Sequence, residues 1–100
     1  MARRMKQVYV SRAAEDLRIL AERLDRLRAA TERLGADRKL LLEPALDDMR
    51  GMRNRAEAKL EDVRRAPDDA WSVFKVHADG AIENLKLAIH RFEDGMICVA

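Results

Sequence analysis

One hundred residues supply enough chain for one domain, and 48% hydrophobic residues with 38% charged ones exclude an intrinsically disordered composition. Only 4% aromatic residues, four glycines and two prolines argue against a β-sandwich and fit a Leu-, Ala-, Glu- and Arg-rich helical chain close to a coiled coil. Twenty basic residues against 18 acidic ones leave a net charge of +2, which argues against a dedicated nucleic-acid binder.

The first element is predicted over residues 5–34. Val10, Ala13, Leu17, Leu20, Leu24, Leu27, Thr31 and Leu34 alternate three- and four-residue spacings, a pattern that keeps one narrow apolar stripe on one helix face. Charges fill the other face, with Glu22 and Arg26 at i,i+4 and Asp25 and Arg28 at i,i+3. Such pairs add only about 0.2–0.5 kcal/mol each and favour helix formation, not tertiary structure.

The second element is predicted over 37–65, with Asp37 as its N-cap after the interruption at Gly35. Its stripe reads Leu42, Leu46, Met49, Arg53, Ala56, Leu60 and Val63, one residue out of register with the first. Pro44 removes a backbone donor and is expected to kink the helix. A long bent helix and a chain reversal near Gly35–Pro44 both satisfy this pattern. Arg53 on the seam either packs its stem with the head in solvent or pairs with an acid on a neighbouring helix.

The third element is predicted over 68–94, opened by Pro67 at its first position and by Asp68 and Asp69 at the positive end of the dipole. An eleven-residue repeat runs through it: Asp68-Asp69-Ala70-Trp71-Ser72-Val73-Phe74-Lys75 recurs as Asp79-Gly80-Ala81-Ile82-Glu83-Asn84-Leu85-Lys86. That period gives a nearly straight stripe through Trp71, Phe74, Ile82, Leu85 and Ile89. Gly95 is expected to end the helix, leaving Met96–Ala100 as an apolar tail. Residues 66–94 carry a net charge of −3 and residues 1–65 a net of +5, a division that suits helices packing within or between chains.

The stretch from Leu46 to Lys86 resembles small bacterial coiled-coil proteins labelled stress-response proteins, which carry a long charged helix and two A-W-x-x-L-K elements. Here those elements stand as Asp69-Ala70-Trp71-Ser72-Val73-Phe74-Lys75, with Phe for Leu, and Ala81-Ile82-Glu83-Asn84-Leu85-Lys86, with Ile for Trp. Leu46-Asp47-Asp48-Met49-Arg50 and Ala56-Glu57-Ala58-Lys59-Leu60 stand where the family has I-E-E-L-R and A-x-x-K-L. Gly35 and Pro44 depart from the family's uninterrupted helix. The resemblance implies an association module and transfers no catalytic residue.

The residues themselves show no catalytic constellation and no cofactor or metal motif. Ser11, Ser72, Thr31, Tyr9 and Cys98 stand near no histidine in a recognisable spacing, and His77 and His90, 13 positions apart, point in different directions on one helix. Cys98 alone forms no internal disulfide, no apolar run reaches the length of a membrane span, and Arg12, Glu15 and Asp16 interrupt any leader-like stretch after the basic start. Cytoplasm is therefore the expected compartment.

The expected fold is all-α, an antiparallel hairpin or three-helix coiled-coil bundle in one domain spanning 1–100. The expected function is non-enzymatic: a small association or scaffolding protein, stress-linked by resemblance, that forms a homo-oligomer, most simply a dimer, or docks on a larger protein. Its interaction residues are expected to be Leu17, Leu20, Leu24, Leu27, Trp71, Phe74, Ile82, Leu85 and Ile89. No specific nucleic acid is expected as partner, and the acidic third helix disfavours an anionic membrane. The alternatives are an amphipathic lipid-surface binder and, behind it, a small helical enzyme of chorismate-mutase type using Arg18, Arg28 and Arg53.

Overall fold

The structure, a computed structural model, describes residues 2–99. Three α-helices follow one another: α1 (Ala2–Glu32), α2 (Ala36–Arg65) and α3 (Trp71–Val99). No strand occurs among the described residues.

The chain reverses between α1 and α2, which settles the choice left open around Gly35 and Pro44. The end of α1 tightens as Arg33 and Leu34 donate their backbone N–H groups to Ala30 and Thr31, three residues back. Leu34, expected within the first helix, therefore belongs to the turn. Gly35, not Asp37, is the N-cap of α2: its backbone is extended (φ −61°, ψ 156°) and its carbonyl accepts the Lys39 N–H at 3.0 Å. Asp37 lies in the first helical turn, where its charge meets the positive end of the dipole. Pro44 does not end or divide α2, which stays helical from Ala36 to Arg65.

The second connection is tight. Ala66 precedes Pro67 and is extended (φ −66°, ψ 147°), as the proline ring demands of the residue before it, and this stops α2. Pro67 is not the first residue of α3. Its carbonyl accepts the Ala70 N–H at 3.0 Å, closing one turn before the helix begins at Trp71. At the far end, Gly95 does not terminate α3, so residues 96–99 continue the helix in place of the expected tail. The glycine that commonly ends a helix does so in a left-handed conformation, and no described glycine has a positive φ. Ala100 lies outside the described residues.

α1 and α3 run parallel with α2 antiparallel between them. Lys6 Nζ donates to the Ala66 carbonyl at 2.7 Å, the Tyr9 and Trp71 rings lie 5.7 Å apart, and Arg23 pairs with Glu93 near the opposite end. The result is an up-down-up bundle measuring 53 × 17 × 17 Å. One apolar cluster runs along it: Ala13, Leu17, Leu20 and Leu24 from α1, Leu46, Met49, Ala56 and Leu60 from α2, and Leu85 and Ile89 from α3. Burial of these side chains is the main stabilising term. Thr31, the polar residue in the α1 stripe, is buried and donates its hydroxyl to the Leu27 carbonyl at 2.8 Å.

Candidate interaction surface

The residues expected to mediate contact divide into three groups. Leu17, Leu20, Leu24, Leu85 and Ile89 are buried in the chain's own core. Leu27 and Ile82 pack partly buried against it, and Trp71 is half-buried beside Tyr9. Phe74 lies on the same side of α3 but keeps 37% of its surface exposed. Ala78, Ala81 and Ala88 line the packed side with the larger residues, so the buried face of α3 is broader than the eleven-residue stripe alone.

One end of the bundle gathers aromatic and charged groups from α1 and α3. The Tyr9 hydroxyl donates to Asp79 Oδ1 at 2.6 Å, and Lys75 Nζ donates to Asp79 Oδ2 at 2.9 Å while lying 5.2 Å from the Tyr9 ring centroid. Helical spacing places Lys75 and Asp79 on one side of α3, and the parallel packing of α1 brings Tyr9 alongside. Burial, the hydrogen bond to Asp79 and that carboxylate's charge push the Tyr9 phenol above its ordinary value near 10. Burial works against ionisation of Asp79, but the hydrogen bonds from Tyr9 and Lys75 and the Lys75 charge outweigh it and hold the carboxyl below its ordinary value. Beside this cluster a shallow groove is lined by Arg4, Met5, Val8, Arg12, Trp71 and Lys75. Its floor is apolar and its rim cationic.

The outer side of α3 forms a second surface. Val73 is 62% exposed, Val76 68% and Leu87 43%, with exposed Gly80 among them. At 100° per residue these four positions lie half a turn away from Ala78, Leu85 and Ile89. The helix is therefore apolar on both sides over residues 73–87.

Among the described residues no group of three or more His, Cys, Asp and Glu side chains converges. His77 is exposed, and His90 lies 3.7 Å from Asp94 on the surface. Arg18 is held by Glu15 and Glu22 at 2.6 Å each on an exposed face, and Arg28 is exposed. Arg53 is half-buried with no ion pair among the described residues, and its Nε, shielded from solvent, has no hydrogen-bond partner. Of the pairs expected along α1, Glu22 and Arg26 meet at 3.9 Å, whereas Asp25 and Arg28 form no ion pair.

Sequence patterning missed the Tyr9–Asp79 contact and the outer side of α3. The first joins residues 70 positions apart and has no local signature. The second was readable from Val73, Val76 and Leu87 lying opposite the assigned stripe. No helix among the described residues is long and apolar enough to cross a membrane. Comparison with known protein families, curated proteins and solved structures finds no match to this chain.

Proposed function

We propose that this chain is a small non-enzymatic association protein that forms a homodimer and docks on a larger protein. The observation that carries the reading is surface left over after folding. The chain exposes 6939 Å², whereas a compact monomer of its 11.5 kDa exposes about 5,800 Å². Part of the excess is exposed Met, Val and Leu side chains on the outsides of α1 and α3, the kind of surface that marks a contact. The cationic rim of the Met5–Val8–Trp71 groove suits an acidic surface on the larger partner. A cytoplasmic, stress-linked setting is proposed from the resemblance over residues 46–86 alone.

The test is the concentration dependence of melting. Folding linked to self-association raises the melting temperature as protein concentration rises about a hundredfold. An unchanged melting temperature across that range counts against the dimer.

A second reading, an amphipathic lipid-surface binder, draws on Arg3, Arg4 and Arg12 standing near exposed Met5 and Val8. Against it, Trp71 and Tyr9 are half-buried in a concave groove and do not protrude. Co-sedimentation with vesicles of anionic phospholipid at physiological salt decides between them, and the protein is expected to stay in the supernatant.

A further inference from the structure

We infer that the outer side of α3 is the surface on which two copies of this chain meet, around a two-fold axis close to Gly80. The inference rests on the self-association proposed above and specifies its surface. A surface helix normally sets polar residues opposite its core-facing stripe, whereas α3 over residues 73–87 is apolar on two opposite sides and has covered only one of them. Ala78, Leu85 and Ile89 are turned into the bundle, while Val73, Val76 and Leu87 are turned out with exposed Gly80 among them. Over residues 73–87 the outer face carries one charge, Glu83.

Gly80 adds a reason for close approach. A Cβ built on it meets nothing within 4 Å, so the bundle's own packing does not require a glycine at this mid-helix position. Glycine there costs about 0.5–1 kcal/mol relative to alanine. It also leaves a shallow notch against which a second helix can seat.

The area fits a weak, reversible pair. Antiparallel helices centred on Gly80 overlap over residues 71–89, about 28 Å, and a contact as wide as the 17 Å cross-section covers on the order of 480 Å² per copy. The two copies together bury about 950 Å², below the standard size and in the range of transient interfaces. Leu40 and Leu41 on α2 are exposed too, but as an isolated pair between Arg38, Lys39 and Glu43, and the apolar surface around Met5 and Val8 is rimmed by Arg4, Arg12 and Lys75. Pairing that surface with itself sets arginine against arginine.

Orientation follows from charge. A parallel pair places each Glu83 beside the other Glu83 and each Asp94 beside the other Asp94. An antiparallel pair centred on Gly80 separates them, sets Val73 level with Leu87 of the partner subunit, and opposes the helix dipoles.

Sedimentation velocity on the full chain and on Val76→Glu, Leu87→Glu, Gly80→Leu and Ile19→Glu tests the assignment. The first two put a charge on the proposed contact at positions exposed in the single chain. Each is expected to weaken dimerisation on the order of 100-fold, with circular dichroism unchanged. Gly80→Leu fills the notch, and is expected to weaken the dimer while retaining or increasing helicity. Ile19→Glu, on the outer side of α1, is expected to leave the dimer intact. A dimer that survives all three α3 changes but dissociates with Ile19→Glu overturns the assignment and leaves self-association standing. An unaltered chain that is monomeric throughout overturns both.

Discussion

Tyr9 on α1 donates its hydroxyl to Asp79 on α3 at 2.6 Å, tying two parallel helices together across 70 positions of sequence. Lys75 completes the arrangement by holding the other oxygen of the same carboxylate. Each of the three groups gains a polar partner at an edge where the apolar core gives way to solvent. The contact fixes the register of α3 on α1 at the end that also carries the cationic groove.

Tyr9 is expected to titrate above its ordinary value near 10 for as long as the protein stays folded. It is the sole tyrosine, so absorbance at the phenolate band reports on it alone. Because the folded value is raised, this contribution to stability is fully present below about pH 10 and is lost as pH rises from there toward the folded value. A titration midpoint at the ordinary value in folded protein contradicts the contact.

Asp79 sets the opposite limb. Its folded value is depressed, so its contribution is present above its ordinary value of 3.8 and is lost as pH falls through the lower folded value. Asp79→Asn is expected to flatten the acid limb of the stability profile relative to the unaltered chain. Urea midpoints between about pH 2 and pH 7 measure it. Identical acid limbs in the two proteins contradict the assignment.

Leu85 and Phe74 separate the packed side of α3 from its edge. Leu85 is fully buried, and Leu85→Ala is expected to cost about 2–5 kcal/mol. Phe74→Ala removes a ring that keeps 37% of its surface exposed and is expected to cost less, about 1–2 kcal/mol. Trp71→Ala falls between them, because the indole is half-buried and packs on Tyr9. Thermal melts order the three variants, and a Phe74→Ala loss equal to that of Leu85→Ala contradicts the burial pattern.

Much of this fold was legible in sequence, for a physical reason that also marks where the reading stopped. Leu17, Leu20 and Leu24 repeat at three and four, and the helix they lie on needs no distant partner to announce its apolar side. The same holds for Leu46, Met49, Ala56 and Leu60. Gly35 and Pro44 were ambiguous because both interrupt local propensity, and tertiary packing decides which interruption becomes a turn. Here the reversal falls at Gly35, and α2 runs on through Pro44. Gly95 carries the same lesson, since α3 continues past it. Residues on a shared seam were readable, but whether Leu85 meets its own chain or a second one was not. Periodicity identifies a face and says nothing of what covers it. Phe74 shows the same limit: it lies on the side of α3 that faces the bundle, yet 37% of it stays exposed, while Trp71 one turn earlier is better covered.

Gly51 and Pro44 are expected to be sites of easy stabilisation. A Cβ at Gly51 meets nothing within 4 Å, so Gly51→Ala is expected to add about 0.5–1 kcal/mol. Pro44→Ala restores a backbone donor inside α2 and is expected to add about 1–3 kcal/mol, the proline's restriction of the unfolded chain offsetting part of the gain. Urea midpoints check both, and a loss of stability in Pro44→Ala contradicts an uninterrupted α2.

Self-association is the claim on which the functional account stands, and sedimentation equilibrium of the unaltered chain at micromolar concentration tests it most directly. The account predicts a mass of about 23 kDa, twice the 11.5 kDa of one chain, falling toward the monomer on dilution. A mass of 11.5 kDa at every concentration up to the limit of solubility contradicts it.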